Sequence, residues 1–273
     1  MTASEADAAA ERRPFRLVAT DLDGTLLRSD GTVSPRTRAA LDLARAAGAH
    51  LVLATGRPQR WMPMVEEQLE QPGIAVCSNG AFVYDLADGT VLSRTSLDPD
   101  VGMAVVEAVR ASVPGASFGA EHGDAFGHEP AFPVAGDFGE LYAAPVEDLF
   151  ARPVVKLLVR HDGHTVDELA MKVRQAVGDL VEVTFSGHSP LAEIAVKGVS
   201  KASRLAWLCA ERNIDPSEVV AFGDMPNDLA MLTWAGRAYA VGSAHPDVLA
   251  VVDHRAPGND EDGVAQILEQ LFG

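Results

Sequence analysis

Apolar positions fall into short runs separated by amphipathic stretches. Phe15 to Ala19, His50 to Ala54, Ile74 to Cys77 and Val219 to Phe222 are nearly all apolar, and each ends in small or polar residues. Runs of that length and composition predict strands buried on both faces. Between them the period changes. Ser34-Pro35 is an N-cap followed by proline at the first helical position, and Ala40, Leu41, Leu43, Ala44 and Ala47 form one stripe, so a helix is predicted to about Ala47 with Gly48 as its stop. A second helical stretch is predicted from Thr55-Gly56-Arg57-Pro58 to about Gln71. Strands alternating with helices imply a parallel sheet, whose ligands collect at the carboxyl ends of the strands.

From about Val83 the pattern shifts. Residues 85–92 read as two short strands around an Asp-Gly turn. Helices are expected near 99–113 and 165–177, and strands near 117–119, 153–160 and 180–185, while 120–150 is rich in Gly, Pro and acids and gives no clear pattern. The strand-helix rhythm returns after Ala192, with a helix from Ser200-Lys201 to about Arg212, one to Trp234, a strand at 238–241 and a closing helix near 262–272. The expected fold class is α/β: a Rossmann-like parallel-sheet core over 15–83 and 189–273, with a smaller α+β domain inserted at 84–188. Residues 1–14 have no apolar block that would make a signal-peptide core and are expected to form a disordered tail.

The 273 residues carry 22 Lys and Arg against 39 Asp and Glu, a formal charge of −17. Such an acidic surplus disfavours nucleic acid and anionic membrane surfaces as partners. No run approaches the roughly 18 apolar residues that span a bilayer. The two cysteines, Cys77 and Cys209, lie in apolar surroundings and suggest neither disulfides nor a zinc site. A soluble, cytoplasmic protein is expected.

The polar residues that end the predicted strands change the picture most. Asp21 and Asp23 are two positions apart in Asp21-Leu-Asp-Gly-Thr. Two carboxylates aimed at one point repel by roughly 1 kcal/mol in water and several times more in a dry site unless a cation lies between them. Mg2+, which prefers oxygen ligands, resolves that conflict. Thr55-Gly56-Arg57, Asn79, Lys201 and the Asp224, Asn227, Asp228 cluster fall at the same rim. Singly, each has an ordinary structural reading as a cap, a turn or a surface charge; together they suit phosphoryl transfer, where catalysis is mostly positioning and charge neutralisation. In that chemistry Asp21 is the nucleophile and Asp23 the acid and base. Asp224 binds Mg2+ with a carboxylate oxygen of Asp21 and the backbone carbonyl of Asp23. Thr55 and the Gly56 amide, beside a helix N-terminus, donate to phosphate, and Lys201 neutralises the transferring group. Arg57, Asn79 and Asn227 are candidate phosphate or substrate contacts, and Asp228 orients from behind.

These residues resemble the haloacid-dehalogenase-like phosphohydrolases, specifically the Cof-like type with an α/β cap inserted after the third strand. The resemblance lies in Asp21-Leu-Asp-Gly-Thr, Ala54-Thr-Gly-Arg, Ser78-Asn-Gly-Ala, Lys197-Gly-Val-Ser-Lys201, Gly223-Asp-Met-Pro-Asn-Asp-Leu-Ala-Met-Leu232 and Asn259-Asp-Glu-Asp-Gly-Val264. It implies roles that agree with those above, and a cap that closes over the core and supplies substrate contacts. It thins out between about 95 and 185.

The function expected is a Mg2+-dependent phosphatase acting on a small phosphorylated metabolite, a sugar phosphate or a cofactor or nucleotide precursor, through an aspartyl-phosphate. A phosphomutase of the same fold and a non-catalytic metal- or phosphate-binding regulator are the alternatives. Within the inserted region Glu121, His122 and His128 attract attention without a spacing that assigns them a role; His188 lies where the chain returns to the core, and Glu193 is positioned either to pair with Lys197 or to face the site.

Overall fold

In a computed structural model, residues 15–69, 73–134, 139–187, 189–242 and 244–273 are described. The predicted tail over 1–14, the end of the second predicted helix at 70–72, and His188 lie outside them.

The core is an eight-stranded sheet. β1 (Leu17–Thr20), β2 (His50–Ala54), β3 (Ile74–Cys77), β12 (Val219–Gly223), β13 (Arg237–Val241) and β14 (His254–Ala256) run parallel in the order β14-β13-β12-β1-β2-β3. The central strands are buried on both faces, which is why their sequence does not alternate. Val18, Leu51 and Leu53 point into the layer holding α1 (Pro35–Ala46) and α9 (Gly263–Phe272), whereas Leu17, Ala19 and Val52 point into the layer holding α6 (Lys201–Arg212) and α7 (Leu229–Trp234). α1 begins as its sequence predicts: the Ser34 hydroxyl accepts from the Thr37 N–H at 3.0 Å, a cap worth about 1 kcal/mol.

Among the described residues the second predicted helix forms only in part. The segment after Pro58 makes one tight turn at Gln59–Trp61 and one helical turn, α2 (Pro63–Glu66). Pro63 lacks an N–H and can only begin a helix, so the segment restarts there. The loop at Thr55-Gly56 therefore does not lead into a helix long enough to lend it a dipole.

The strand pair around the Asp-Gly turn is present as β4 (Phe82–Asp85) and β5 (Val91–Arg94), but it belongs to the core sheet. Ser78, Asn79 and Gly80 have φ of 48°, 55° and 109°. Three positive values in succession reverse the chain, so β4 pairs antiparallel with β3, from Ile74 opposite Asp85 to Cys77 opposite Phe82. Gly80 has a second reason to be glycine, because a Cβ there would lie 2.5 Å from the Ser200 carbonyl oxygen.

The inserted unit is a six-stranded sheet backed by α3 (Pro99–Ser112) and α5 (Val166–Val177). Its strands are β6 (Ser117–Glu121), β7 (Ala125–His128), β8 (Glu140–Ala143), β9 (Lys156–Arg160), β10 (Val181–Thr184) and β11 (Leu191–Val196), ordered β10-β11-β9-β6-β7-β8. The region 120–150 thus contributes β7, β8 and the single turn α4 (Val146–Leu149). The expected division at 84 and 188 is displaced at both ends, since β4 and β5 complete the core and β11 lies inside the second sheet. The apolar run Leu191–Val196 resembles a returning core strand, yet it alternates, with Ala192 and Ile194 packed against the inserted unit's helices and Glu193 on the opposite face. A short helix, α8 (Pro246–Val251), and β14 also lay beyond the sequence reading.

Candidate active site

The carboxyl ends of β1, β2 and β12 carry the predicted residues to one place. Asp21 directly follows β1 and its N–H still donates to Phe222 O at 3.0 Å, which holds it against β12. Lys201 is the first residue of α6, which Ser200 caps, and it is completely buried. Its ammonium donates to Asp21 Oδ1 at 2.6 Å and to Asp228 Oδ1 at 2.7 Å. Asp228 is equally buried, and its other oxygen accepts from the Asp224 and Met225 N–H groups, both at 3.1 Å. Asp228 thus spans the lysine and the loop that carries Asp224.

The electrostatics are those of crowded anions in a dry place. Burial raises the Asp21 carboxyl well above its ordinary value, Lys201 pulls it down, and Asp228, Asp224 and Asp23 push it up again. Burial and Asp228 push Asp224 up to about 7, although the Thr25 hydroxyl, 2.9 Å from Oδ1, and Lys201 oppose this. Burial works to lower the Lys201 pKa, but the two carboxylates on it win and hold it as an ammonium.

Asp21, Asp224 and Asp228 each offer a carboxylate oxygen within 4.8 Å of the others. With Asp228 engaged at both oxygens, Asp21 Oδ2 and Asp224 Oδ2 are left without a protein hydrogen-bond donor among the described residues. A Cβ on Gly24, whose φ is 77°, would fall 2.4 Å from Asp224 Oδ2, so only glycine keeps that space open. Hard oxygen donors, an excess of negative charge and a preserved gap fit a small divalent cation such as Mg2+.

Several predicted contacts are differently employed. Arg57 grips Asp23 in a two-pronged ion pair, Nε to Oδ2 at 2.8 Å and Nη2 to Oδ1 at 2.6 Å. Thr55 is buried, and its hydroxyl oxygen accepts from the Arg57 N–H at 3.0 Å, which leaves its O–H proton for another acceptor. Asn79 is committed to neighbours: its Nδ2 donates to Glu193 Oε2 at 2.6 Å and Thr184 Oγ1 at 3.2 Å, and its Oδ1 accepts from Asn227 Nδ2 at 3.0 Å. Asn227 therefore turns its amide N–H toward Asn79, and its Oδ1 is buried without a partner among the described residues.

A cleft of about 180 Å³ separates the two sheets. Asp21, Asp23, Gly56, Arg57 and Asn227 face it from the core, and Glu121, Lys156, Leu158, Leu191 and Glu193 from the inserted unit. Glu193 pairs with Lys156, Nζ to Oε1 at 2.9 Å, and not with Lys197, which is exposed and lies 3.8 Å from Asp179. Glu121 forms a buried ion pair with Arg60 at 2.9 Å. His122 is turned away, between Pro153 O and the Tyr142 hydroxyl, and His128 contacts Glu129 O. Lys156 escaped sequence reading, although one lysine inside the apolar run Val154 to Val159 is the mark of a charge carried to an interface.

Comparison with known proteins identifies the family. The haloacid dehalogenase-like hydrolase family matches residues 18–268. A 5-amino-6-(5-phospho-D-ribitylamino)uracil phosphatase of Bacillus subtilis is 31% identical over 281 residues, covering 96% of this chain and 99% of its own. An HMP-PP phosphatase from an Enterobacter species is 28% identical over 258 residues and 88% of each chain. Among solved structures, a phosphatase of the haloalkanoate superfamily from Bacteroides thetaiotaomicron superposes with a TM-score of 0.81 at 23% identity, covering 94% of this chain and 95% of that one. The chain accordingly belongs to the haloacid dehalogenase-like hydrolases, as a Cof-like phosphohydrolase.

Proposed function

We propose that the chain is a Mg2+-dependent phosphoric monoester hydrolase that cleaves a small phosphorylated metabolite in two steps, through a phosphoryl group carried on Asp21. The observation that carries this reading is the fully buried Lys201 bonded to both Asp21 and Asp228 beside an open pair of carboxylate oxygens. An ammonium on Asp21 orients the carboxylate, so that one of its oxygens can attack phosphorus while the other serves the cation.

In the first step one carboxylate oxygen of Asp21 bonds to phosphorus, the bond from phosphorus to the leaving oxygen breaks, and Asp23 gives that oxygen a proton. In the second, Asp23 takes a proton from the attacking water, the bond between phosphorus and Asp21 breaks, and inorganic phosphate departs. Asp23 must leave Arg57 to serve in this way, and the guanidinium then turns to the incoming phosphate dianion. The Thr55 hydroxyl and Gly56 amide supply hydrogen bonds to its oxygens. Asp21, Asp224 and the Asp23 carbonyl would hold the Mg2+, whose charge offsets that of the carboxylates and the phosphoryl oxygens. Asp228 acts through Lys201 and the Asp224 loop.

The small, partly polar cleft supports a compact substrate, and the names of the relatives support a phosphorylated sugar-like compound or cofactor precursor. Replacing Asp21→Asn tests the reading. Turnover of 4-nitrophenyl phosphate falls to background while the thermal midpoint is retained; a variant as active as the parent removes Asp21 as the nucleophile.

A further inference from the structure

The roof of the cleft is one face of the inserted sheet. On β6, β9 and β11 the residues Phe118, Ala120, Leu157, Val159, Ala192 and Ile194 pack toward the helices that back the sheet. Because side chains alternate along a strand, Glu121, Lys156, Leu158, Leu191 and Glu193 share the other face, over Asp21 and Asp23. Lys156 and Glu193 are both buried there. Such a pair is costly to desolvate and is commonly no more stable than apolar residues of the same size, so its presence beneath a cap asks for a use beyond stability.

The pair is not saturated. An ammonium has three donors, and Lys156 spends two, on Gly56 O at 2.6 Å and Glu193 Oε1 at 2.9 Å. A carboxylate accepts about four hydrogen bonds. Glu193 receives three, from Lys156, from Ser186 Oγ at 3.0 Å and from Asn79 Nδ2 at 2.6 Å. Burial alone raises the Glu193 pKa, yet the charge of Lys156 and these hydrogen bonds hold it below its ordinary value, so it is an acceptor only. One donor and one acceptor remain side by side on the wall of the cleft. Trp61 also borders that cleft, and its indole N–H is buried without an acceptor among the described residues.

We propose that Lys156 and Glu193 form a specificity-determining pair for the leaving group, the carboxylate accepting from one hydroxyl and the ammonium donating to its neighbour, which selects phosphate esters bearing two adjacent hydroxyls. This inference rests on the phosphomonoesterase reading above. Leu158 and Leu191, on the same wall, supply apolar contact for the carbon skeleton between the hydroxyls. An ester without hydroxyls leaves one donor and one acceptor of the buried pair unmet when the cleft is filled, and that mismatch is a strong source of discrimination.

Glycerol 3-phosphate and n-propyl phosphate have equal carbon chains and alkoxide leaving groups and differ in the adjacent hydroxyls, so the ratio of their kcat/KM values reads recognition of those hydroxyls, and its change in the variants reads the pair. The parent enzyme is expected to favour glycerol 3-phosphate, and Glu193→Gln and Lys156→Met each to lower the ratio by about tenfold to a hundredfold, the range for a hydrogen bond to a charged group. Glu193→Gln preserves volume and most hydrogen bonds, so it decides the matter if Lys156→Met, which strands a buried carboxylate, does not fold. Variants that lose activity toward both esters in equal proportion would assign the pair to closing the cap and overturn the proposal. A parent that hydrolyses both esters equally well overturns it too, with the phosphatase reading intact; a parent that hydrolyses neither ester nor 4-nitrophenyl phosphate overturns both.

Discussion

Lys201 and Asp21 are 180 positions apart in the chain, and their charged atoms meet at 2.6 Å with the lysine wholly withdrawn from solvent. The lysine reaches Asp21 because Ser200 caps α6 against the turn at Gly80, where the two backbones approach too closely for a side chain. An ammonium in that position is shared by two carboxylates at once and offsets part of their charge.

Lys201→Met therefore leaves Asp21 and Asp228 as unpaired buried anions. Stability is expected to fall by about 3–5 kcal/mol at neutral pH, the cost of stranding one partner of a buried pair. Turnover falls by about a thousandfold or more because charge on the transferring group is no longer offset. Denaturant titration and steady-state kinetics on the same preparation check both; a variant of parental stability would show that the carboxylates protonate without penalty.

Asp23→Asn separates the two steps. A nitrophenolate leaves without needing a proton, whereas an alkoxide does, so loss in the first step should be about 10²–10⁴-fold with alkyl phosphates and much smaller with 4-nitrophenyl phosphate. Hydrolysis of the phosphorylated protein still lacks its base. Rapid-quench measurement should then show a burst of nitrophenol equal to the enzyme concentration, with phosphate retained on the protein.

Gly24→Ala tests the gap beside Asp224. Its left-handed backbone alone costs a side chain about 1–2 kcal/mol. The added methyl must also displace Asp224 Oδ2, 2.4 Å away. Mg2+ affinity measured by calorimetry should weaken with only modest loss of thermal stability; unchanged affinity would mean that the cation is held elsewhere.

The Asp224 carboxyl, ordinarily near 3.8 and pushed up to about 7 by burial and by Asp228, links Mg2+ to pH. The folded protein without metal holds this proton more tightly than the unfolded chain does. Its contribution to stability therefore declines as pH rises from about 4 to about 7 and then levels off. Mg2+ requires the ionised form, so its affinity should climb over the same interval and binding below about pH 7 should release a proton. Calorimetry in buffers of different ionisation enthalpy detects that proton; an affinity that is flat from about pH 5 to about pH 8 counts against Asp224 as a ligand.

The sequence by itself determined the parallel core and the polar rim at the carboxyl ends of its strands. Strands buried on both faces must be apolar throughout, so their polar ends at Asp21, Thr55, Asn79 and Gly223-Asp224 stand out in a one-dimensional reading. Caps and turn glycines at Ser34, Gly48 and Ser200 are local interactions and are legible for the same reason. Tertiary structure alone decided which sheet each remaining strand joins. β4 and β5 joined the core through a reversal of the backbone at Ser78 to Gly80, and β11 joined the inserted unit although its composition suits either sheet. It also decided partners: Asp23 with Arg57, Asn79 with Asn227, and Glu193 with Lys156 in preference to the nearer Lys197. Spacing along a strand says which residues share a face, but the opposing surface that meets that face is set by the packing of two units distant in the chain.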